Sequence, residues 1–283
     1  MRIVTFGNCQ ADALAEVLSL GLPGSGYSVE FYSNNDRTGG MRSLEEIQEG
    51  VRGADLLVFQ PLDDKHGVLS EANVRSQAKS EPIAFPYLFN SGIAGFCHTG
   101  GVASRRNADS NAAHSYGNVF GERTVIARLE RGMPASAVIE AYVDGRINFN
   151  LRHRFDRCVA EVKRRDQGTE IKLGEHIAEN HQKTRQFLTH NHPTTALIVE
   201  ICRQLKALTD LPIDIAGLQR IQDENVAGLP GGRKRCPVSP YDAKELGYEF
   251  GHDQDWIERG TAIIQMIAEG YRAERGEPQD ARV

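Results

Sequence analysis

Short apolar runs alternate with helix-spaced apolar stripes along the first third of the chain. Arg2 to Phe6 (RIVTF) is β-branched and aromatic and predicts a strand. Gly7-Asn8 follows, then a stretch from Gln10 to about Leu20 in which Ala11, Leu14, Ala15 and Leu18 fall on one helical face. A turn cluster, Leu-Pro-Gly-Ser-Gly (22 to 26), leads to a second predicted strand, Tyr27 to Tyr32. Ser43 to Val51 predicts a short helix, with Ser43 as cap and Glu46 at capping-box spacing. Leu56 to Phe59 is continuously apolar, as in a strand covered on both faces, and Pro82 to Pro86 supplies a further strand candidate. Strands alternating with helices in this way predict a small parallel sheet with helices packed on it.

The pattern then breaks. Asn90 to Gly121 is rich in Gly, Ser, Asn and His and has little periodicity, so a long glycine-rich loop at the active site is expected there. Beyond it the chain turns helical. Pro134 opens a helix over Ala135 to Val143. Stripes at Leu151, Phe155, Cys158, Val159 and Val162, and at Leu197, Ile198, Ile201, Cys202 and Leu205, predict two more helices, the second over Thr195 to Leu208. Asp253 to Tyr271 predicts the last one, and 272–283 reads as a frayed polar tail. No linker separates two parts, so the expectation is one α/β domain over 1–283, with a helix-rich C-terminal half.

Composition narrows the classes. The chain has 283 residues, 40% hydrophobic and 25% charged, which suits a globular protein with a sizeable core. No apolar run approaches the length of a membrane span, no repeat period recurs, and the first residues lack a secretory-signal pattern. Lys plus Arg number 33 against 38 Asp plus Glu, a net charge of -5, the opposite of a nucleic-acid binder's balance. The five cysteines are scattered, with no CxxC. This predicts neither a disulfide framework nor a structural zinc site, and points to a reducing, cytoplasmic compartment.

Two places carry candidate chemistry. The first is strand-Gly7-Asn8-Cys9-Gln10-helix. A thiol at a strand-to-helix turn lies near unpaired helix amides. These lower its pKa toward the thiolate and offer the Cys9 and Gln10 amides to an oxyanion. The alternative is a small buried Cys9 beside an ordinary turn. The second is Thr189-His190-Asn191-His192-Pro193-Thr194-Thr195. Proline fixes this loop and Thr194 can cap the following helix, so His192 is held as a general base should be. His190-x-His192 also has the spacing of a zinc pair, but no nearby carboxylate or cysteine completes a metal shell, and no metal is assigned. The bland alternative is a histidine that only satisfies backbone groups.

Weaker candidates surround these. Gln60 ends the apolar strand on the same sheet edge as Cys9 and can orient substrate or complete an oxyanion hole; equally, it can satisfy a loop. Asn90 and Ser91 open the glycine-rich loop. Arg105 and Arg106, and Arg233, Lys234 and Arg235, are basic clusters suited to phosphates, although such clusters are most often solvated surface.

Four segments together resemble the WcbI-type polysaccharide-biosynthesis acyltransferase family: GNCQA (7–11), ADLLVFQ (54–60), PIAFPYLFNSG (82–92) and QFLTHNHPTTALIVEI (186–201). The resemblance spans most of residues 1 to 210. It implies coenzyme A binding and acetyl transfer onto bacterial surface glycans, with acetyl-CoA as co-substrate, no tightly bound cofactor, and a glycan acceptor as the other partner. More distantly, GNCQ and the His192-Pro193 segment resemble the first and last blocks of SGNH (GDSL) esterases and acetyltransferases. That comparison places Cys9 as nucleophile and His192 as base on an SGNH- or Rossmann-like core. Gln10 and Gln60 complete the catalytic set, and Gly7, Asn8, Asn90, Ser91, His190, Asn191 and the basic clusters bind substrate. Where those proteins carry an Asp three residues before the base, this chain has Thr189, and serine is replaced by cysteine. An SGNH-type hydrolase, or a non-catalytic glycan- or CoA-binding protein, are the rival expectations.

Overall fold

The computed structural model describes residues 1–34, 42–97, 122–226, 229 and 235–275. The chain divides into two compact units. The first comprises 1–88, 159–180 and 192–233, the second 89–158, 181–191 and 234–283.

The first unit holds a four-stranded parallel sheet: β1 (Arg2–Gly7), β2 (Ser28–Ser33), β3 (Leu56–Phe59) and β4 (Ile83–Ala84). Helices α1 (Cys9–Gly21), α2 (Leu44–Gly53) and α3 (Glu71–Gln77) connect them. All four β3 residues are buried, as their unbroken apolar run requires of a strand covered on both faces. Ser43 and Glu46 form the expected capping box of α2. Val4, Phe6, Leu57 and Phe59 from the strands pack with Ile47 and Val51 of α2 in one apolar core.

The strand order is β2-β1-β3-β4. The chain therefore leaves β1 toward one side and returns to β1's other side for β3, which makes a topological switch point between β1 and β3. Open α/β sheets bind ligands at the carboxyl ends of the strands at such a point. Phe6 lies opposite Phe59 in the register, so Gly7 and Gln60 leave the sheet at that same edge.

In the second unit are α4 (Arg123–Glu130), α5 (Ala135–Val143), the first part of α6 (Leu151–Asp166), β5 (Phe187–Thr189), α10 (Pro240–Leu246) and α11 (Trp256–Glu274). The rest of α6, together with α7 (Gly174–Asn180), β6 (His192–Pro193), α8 (Thr195–Leu208) and α9 (Ile215–Leu218), belongs to the first. The second unit's core is aromatic: Tyr142 meets Phe96, Phe149 and Trp256 edge-on, with centroids 5.1 to 6.4 Å apart. Gly92 is needed for close packing on α6, because a Cβ there would fall 2.1 Å from the Phe155 nitrogen. Glu122, fully buried, takes a two-pronged ion pair from Arg154 at 2.8 Å.

One expectation is overturned in this unit. Cys97 and Cys236, 139 positions apart, form a disulfide. Scattered cysteines without a local motif carry no sign of pairing, since the partners meet only through the tertiary fold. Much of the expected loop at 90–121, its residues 98–121, lies outside the described residues, as does 276–283 of the expected tail.

Candidate active site

β1 ends at Gly7, Asn8 adopts extended backbone as the N-cap, and Cys9 is the first residue of α1. The Asn8 side-chain oxygen accepts the Gln10 N–H at 2.9 Å, so one of the two amides expected to serve an oxyanion is taken up by the cap. The thiol is half-buried. Burial pushes the Cys9 thiol above its ordinary range; the amides of Cys9 and Gln10 pull it down, and the charge of Asp12 pushes it up again. The expectation of a depressed thiol pKa is thus corrected. Helix-terminal amides do reach the sulfur, but losing water costs the thiolate more than they return.

Around this turn lie two buried carboxamides. Gln60 Oε1 accepts the Asn8 N–H at 3.0 Å, and Gln60 Nε2 donates to Gln10 Oε1 at 2.8 Å. The Gln10 side chain also bonds the Leu88 backbone in both senses, donating to its carbonyl at 2.7 Å and accepting its N–H at 3.0 Å. Gly7 leaves room for this network: a Cβ would lie 2.6 Å from Gln60 Oε1 and 3.0 Å from the Ala11 side chain, so Gln60 would have to move.

His192 is half-buried and begins β6, and this strand packs against α1 and α8. The segment expected as a proline-fixed loop is therefore two short strands with His190 and Asn191 between them. Thr194 is the N-cap of α8 as expected, but its side chain makes no capping bond. Asp223 does that work, accepting the Thr195 N–H at 2.6 Å.

Gly7, Asn8, Cys9, Gln10, Gln60 and His192 all belong to the first unit; Asn90, Ser91, His190 and Asn191 belong to the second. There the Asn90 N–H donates to the His190 carbonyl at 2.6 Å, and Asn90 Oδ1 accepts the Gly92 N–H at 2.9 Å. Ser91 Oγ lies 3.7 Å from Cys158 Sγ, and Thr189 Oγ1 donates to Asn191 Oδ1 at 3.4 Å. Arg235 is paired with Asp253 at 3.2 Å, a buried carboxylate that Arg185 also holds at 2.8 Å. Arg105, Arg106, Arg233 and Lys234 lie outside the described residues. Among the described residues no group of three His, Cys, Asp or Glu is placed to hold a metal ion, and no helix is long and apolar enough to cross a membrane.

Sequence reasoning missed the two-way bond between Gln10 and Leu88, the Asp223 cap, and Asp253 with its two arginines. The one signal for the first was a polar residue in the opening turn of a helix whose later stripe is apolar.

A parallel sheet with a cysteine-led helix at its switch point defines an α/β protein with a thiol at the sheet's carboxyl edge, where open α/β sheets bind ligands. A solved structure described as WcbI, a novel polysaccharide biosynthesis enzyme, in a native form without a disulfide bond between coenzyme A and a cysteine, shares this fold. It matches with a TM-score of 0.67 at 18% identity, over 97% of this chain and 96% of that one. The model of the polysaccharide biosynthesis enzyme WcbI matches residues 2–213, and the chain belongs to that family. No curated protein matches it.

Proposed function

We propose that the protein is an acyl-CoA-dependent O-acyltransferase, specifically an acetyltransferase, acting on a sugar hydroxyl in polysaccharide biosynthesis. The carrying observation is the placement of Cys9 at the head of α1, beside the β1/β3 switch point, with the strand of His192 packed against that same helix. Acyl transfer needs a nucleophile, a base and donors for a developing oxyanion within one site. The description of a relative in terms of coenzyme A and a cysteine supports a thiol that meets CoA.

Two courses lie within this reading. In one, His192 takes the Cys9 proton and the sulfur attacks the acyl carbonyl. The CoA thiolate leaves and is protonated by His192. A sugar hydroxyl, deprotonated in turn by His192, then displaces Cys9 from the acyl-cysteine. In the other, His192 takes the proton of the hydroxyl, which attacks acyl-CoA directly while Cys9 assists in activating the acceptor; the CoA thiolate leaves and takes that proton from His192. The raised thiol pKa favours the second, because a protonated thiol is a weak nucleophile until a base removes its proton. Thr189 supplies no carboxylate to orient His192. We assign the CoA phosphates to Arg105, Arg106, Arg233 and Lys234, by their charge, and place the reaction in the cytoplasm, beside acyl-CoA.

The test is thermal unfolding with CoA, acetyl-CoA and free sugars. A ligand at a hundredfold its dissociation constant adds about 2.7 kcal/mol. No shift with any CoA species overturns the proposal, and turnover of p-nitrophenyl esters without CoA would put an SGNH-type hydrolase in its place. An acetylated protein trapped without acceptor, and lost in Cys9→Ser, selects the first course over the second.

A further inference from the structure

Buried carboxamides are expensive. Each costs about 1–3 kcal/mol if its donors and acceptor are left unpaired, and a leucine or methionine would fill the same space without that risk. Gln10 and Gln60 are 1% and 2% exposed, and they occupy neighbouring positions at the edge of the sheet. Side chains so enclosed do not present themselves to a substrate, so direct contact with one does not account for them.

Their hydrogen bonds form a closed circuit. Gln60 Nε2 donates to Gln10 Oε1 at 2.8 Å, Asn8 N–H donates to Gln60 Oε1 at 3.0 Å, and Gln10 N–H donates to Asn8 Oδ1 at 2.9 Å. The ring begins and ends on Gln10, and its Asn8–Gln10 bond spans the backbone that carries Cys9. Its anchor is Leu88, whose carbonyl and N–H both bond the Gln10 carboxamide, as a neighbouring strand would. Joining the strands does not require this ring, because the Gln60 N–H already donates to the Phe6 carbonyl at 2.9 Å. What the ring adds is a fixed orientation for the backbone of Asn8, Cys9 and Gln10.

We propose that Gln10 and Gln60 are positioning residues for Cys9: a buried carboxamide relay, anchored on the Leu88 backbone, that holds the Asn8-Cys9-Gln10 backbone, and with it the Cys9 thiol, in one orientation at the head of α1. The proposal rests on Cys9 being the reactive residue of the acyltransferase reading, and it assigns the two glutamines a part in the reaction that does not involve touching the substrate. The relay acts on the resting thiol, so its effect is measurable without acyl donor or acceptor.

The experiment is alkylation of Cys9 by iodoacetamide across a range of pH, read by peptide mass mapping so that Cys158 and Cys202 do not contribute. Gln60→Met removes both bonds of Gln60 while keeping its length. Slower Cys9 alkylation is expected, about tenfold near neutral pH, the size of one lost hydrogen bond to a charged group, with the pH midpoint moved upward. Gln60→Glu keeps the acceptor for Asn8 but turns the donor into an ionisable group that faces Gln10 Oε1. Its Cys9 profile should gain a second inflection where that carboxyl titrates. A folded Gln60→Met or Gln60→Glu protein with a profile superimposable on the unmodified chain's overturns the proposal. Should neither variant fold, amide hydrogen exchange in the unmodified chain decides. Asn8 and Leu88 amides that exchange as fast as exposed turn amides overturn it, and strong protection of both upholds it. Absence of acyl transfer in the unmodified chain, with the alkylation response intact, would remove the enzymatic reading and leave the relay standing.

Discussion

Asp223 Oδ1 accepts the Thr195 N–H at 2.6 Å, so the helix that follows His192 is capped by a residue 28 positions further along the chain. Thr194, the N-cap by backbone geometry, lends no side-chain bond to this task. Asp223→Ala should therefore cost about 1 kcal/mol, as loss of an N-terminal cap does. Urea unfolding measures this, and an unchanged midpoint would mean that α8 takes its start from β6 alone.

Gly7 and Gln60 are matched in a different way. A Gly7 Cβ would stand 2.6 Å from Gln60 Oε1, so the Gln60 carboxamide would have to shift, and Ala11 at 3.0 Å closes the other direction. Gly7→Ala should cost about 1–3 kcal/mol, the usual penalty for overpacking. It should also release the Asn8 N–H, which amide exchange would register as faster loss of that one proton. A stable Gly7→Ala protein with a protected Asn8 amide would show that Gln60 gives way instead.

The Cys97–Cys236 bond closes a loop of 139 positions. Cross-links over long loops remove much unfolded-chain entropy, and losing a native one typically costs about 2–5 kcal/mol. Cys236→Ala and reduction of the unmodified chain should lower the urea midpoint equally, and reduction should do nothing further to Cys236→Ala. Alkylation under denaturing, non-reducing conditions should label Cys9, Cys158 and Cys202 alone. Five labelled thiols in protein blocked at the moment of cell lysis would agree with a cytoplasmic site of action and show the bridge to be made afterwards.

What the sequence made legible was local. RIVTF, the apolar Leu56–Phe59 and the Ser43/Glu46 box each signal their element within ten residues, and each element is where the pattern placed it. The switch-point turn was legible for the same reason, since strand, Gly-Asn and helix follow one another directly. The rest depended on partners far along the chain. Gln60 meets Gln10 across 50 positions and Leu88 meets Gln10 across 78. Glu122 and Arg154, 32 apart, show no spacing that would mark them as a pair. The Cys9 thiol was misjudged on this account: the helix amides that favour the thiolate belong to the local sequence, whereas the burial that opposes it belongs to the fold.

Two kinds of carboxyl should give the stability a maximum in acid. Glu30, bonded first to Arg2, and Glu161, bonded first to Arg164, are each lowered to about 2. Their unfolded pKa is about 4.3, so their contribution is present above that value and is lost as pH falls through about 2. Asp242 behaves oppositely. Burial raises it to about 7, against the pull of the Ser239 and Gly95 backbone donors. Its unfolded pKa is about 3.9, so the folded chain binds the extra proton between those two values. Stability should then fall as pH rises from about 4 to about 7. Asp242→Asn keeps an acceptor for the Ser239 N–H, which donates to Asp242 at 3.0 Å, but cannot ionise. Urea midpoints taken from pH 2 to pH 8 should rise to a maximum and decline in the unmodified chain, while in Asp242→Asn the decline between pH 4 and 7 should flatten. A decline of equal slope in both proteins would assign it to a different group.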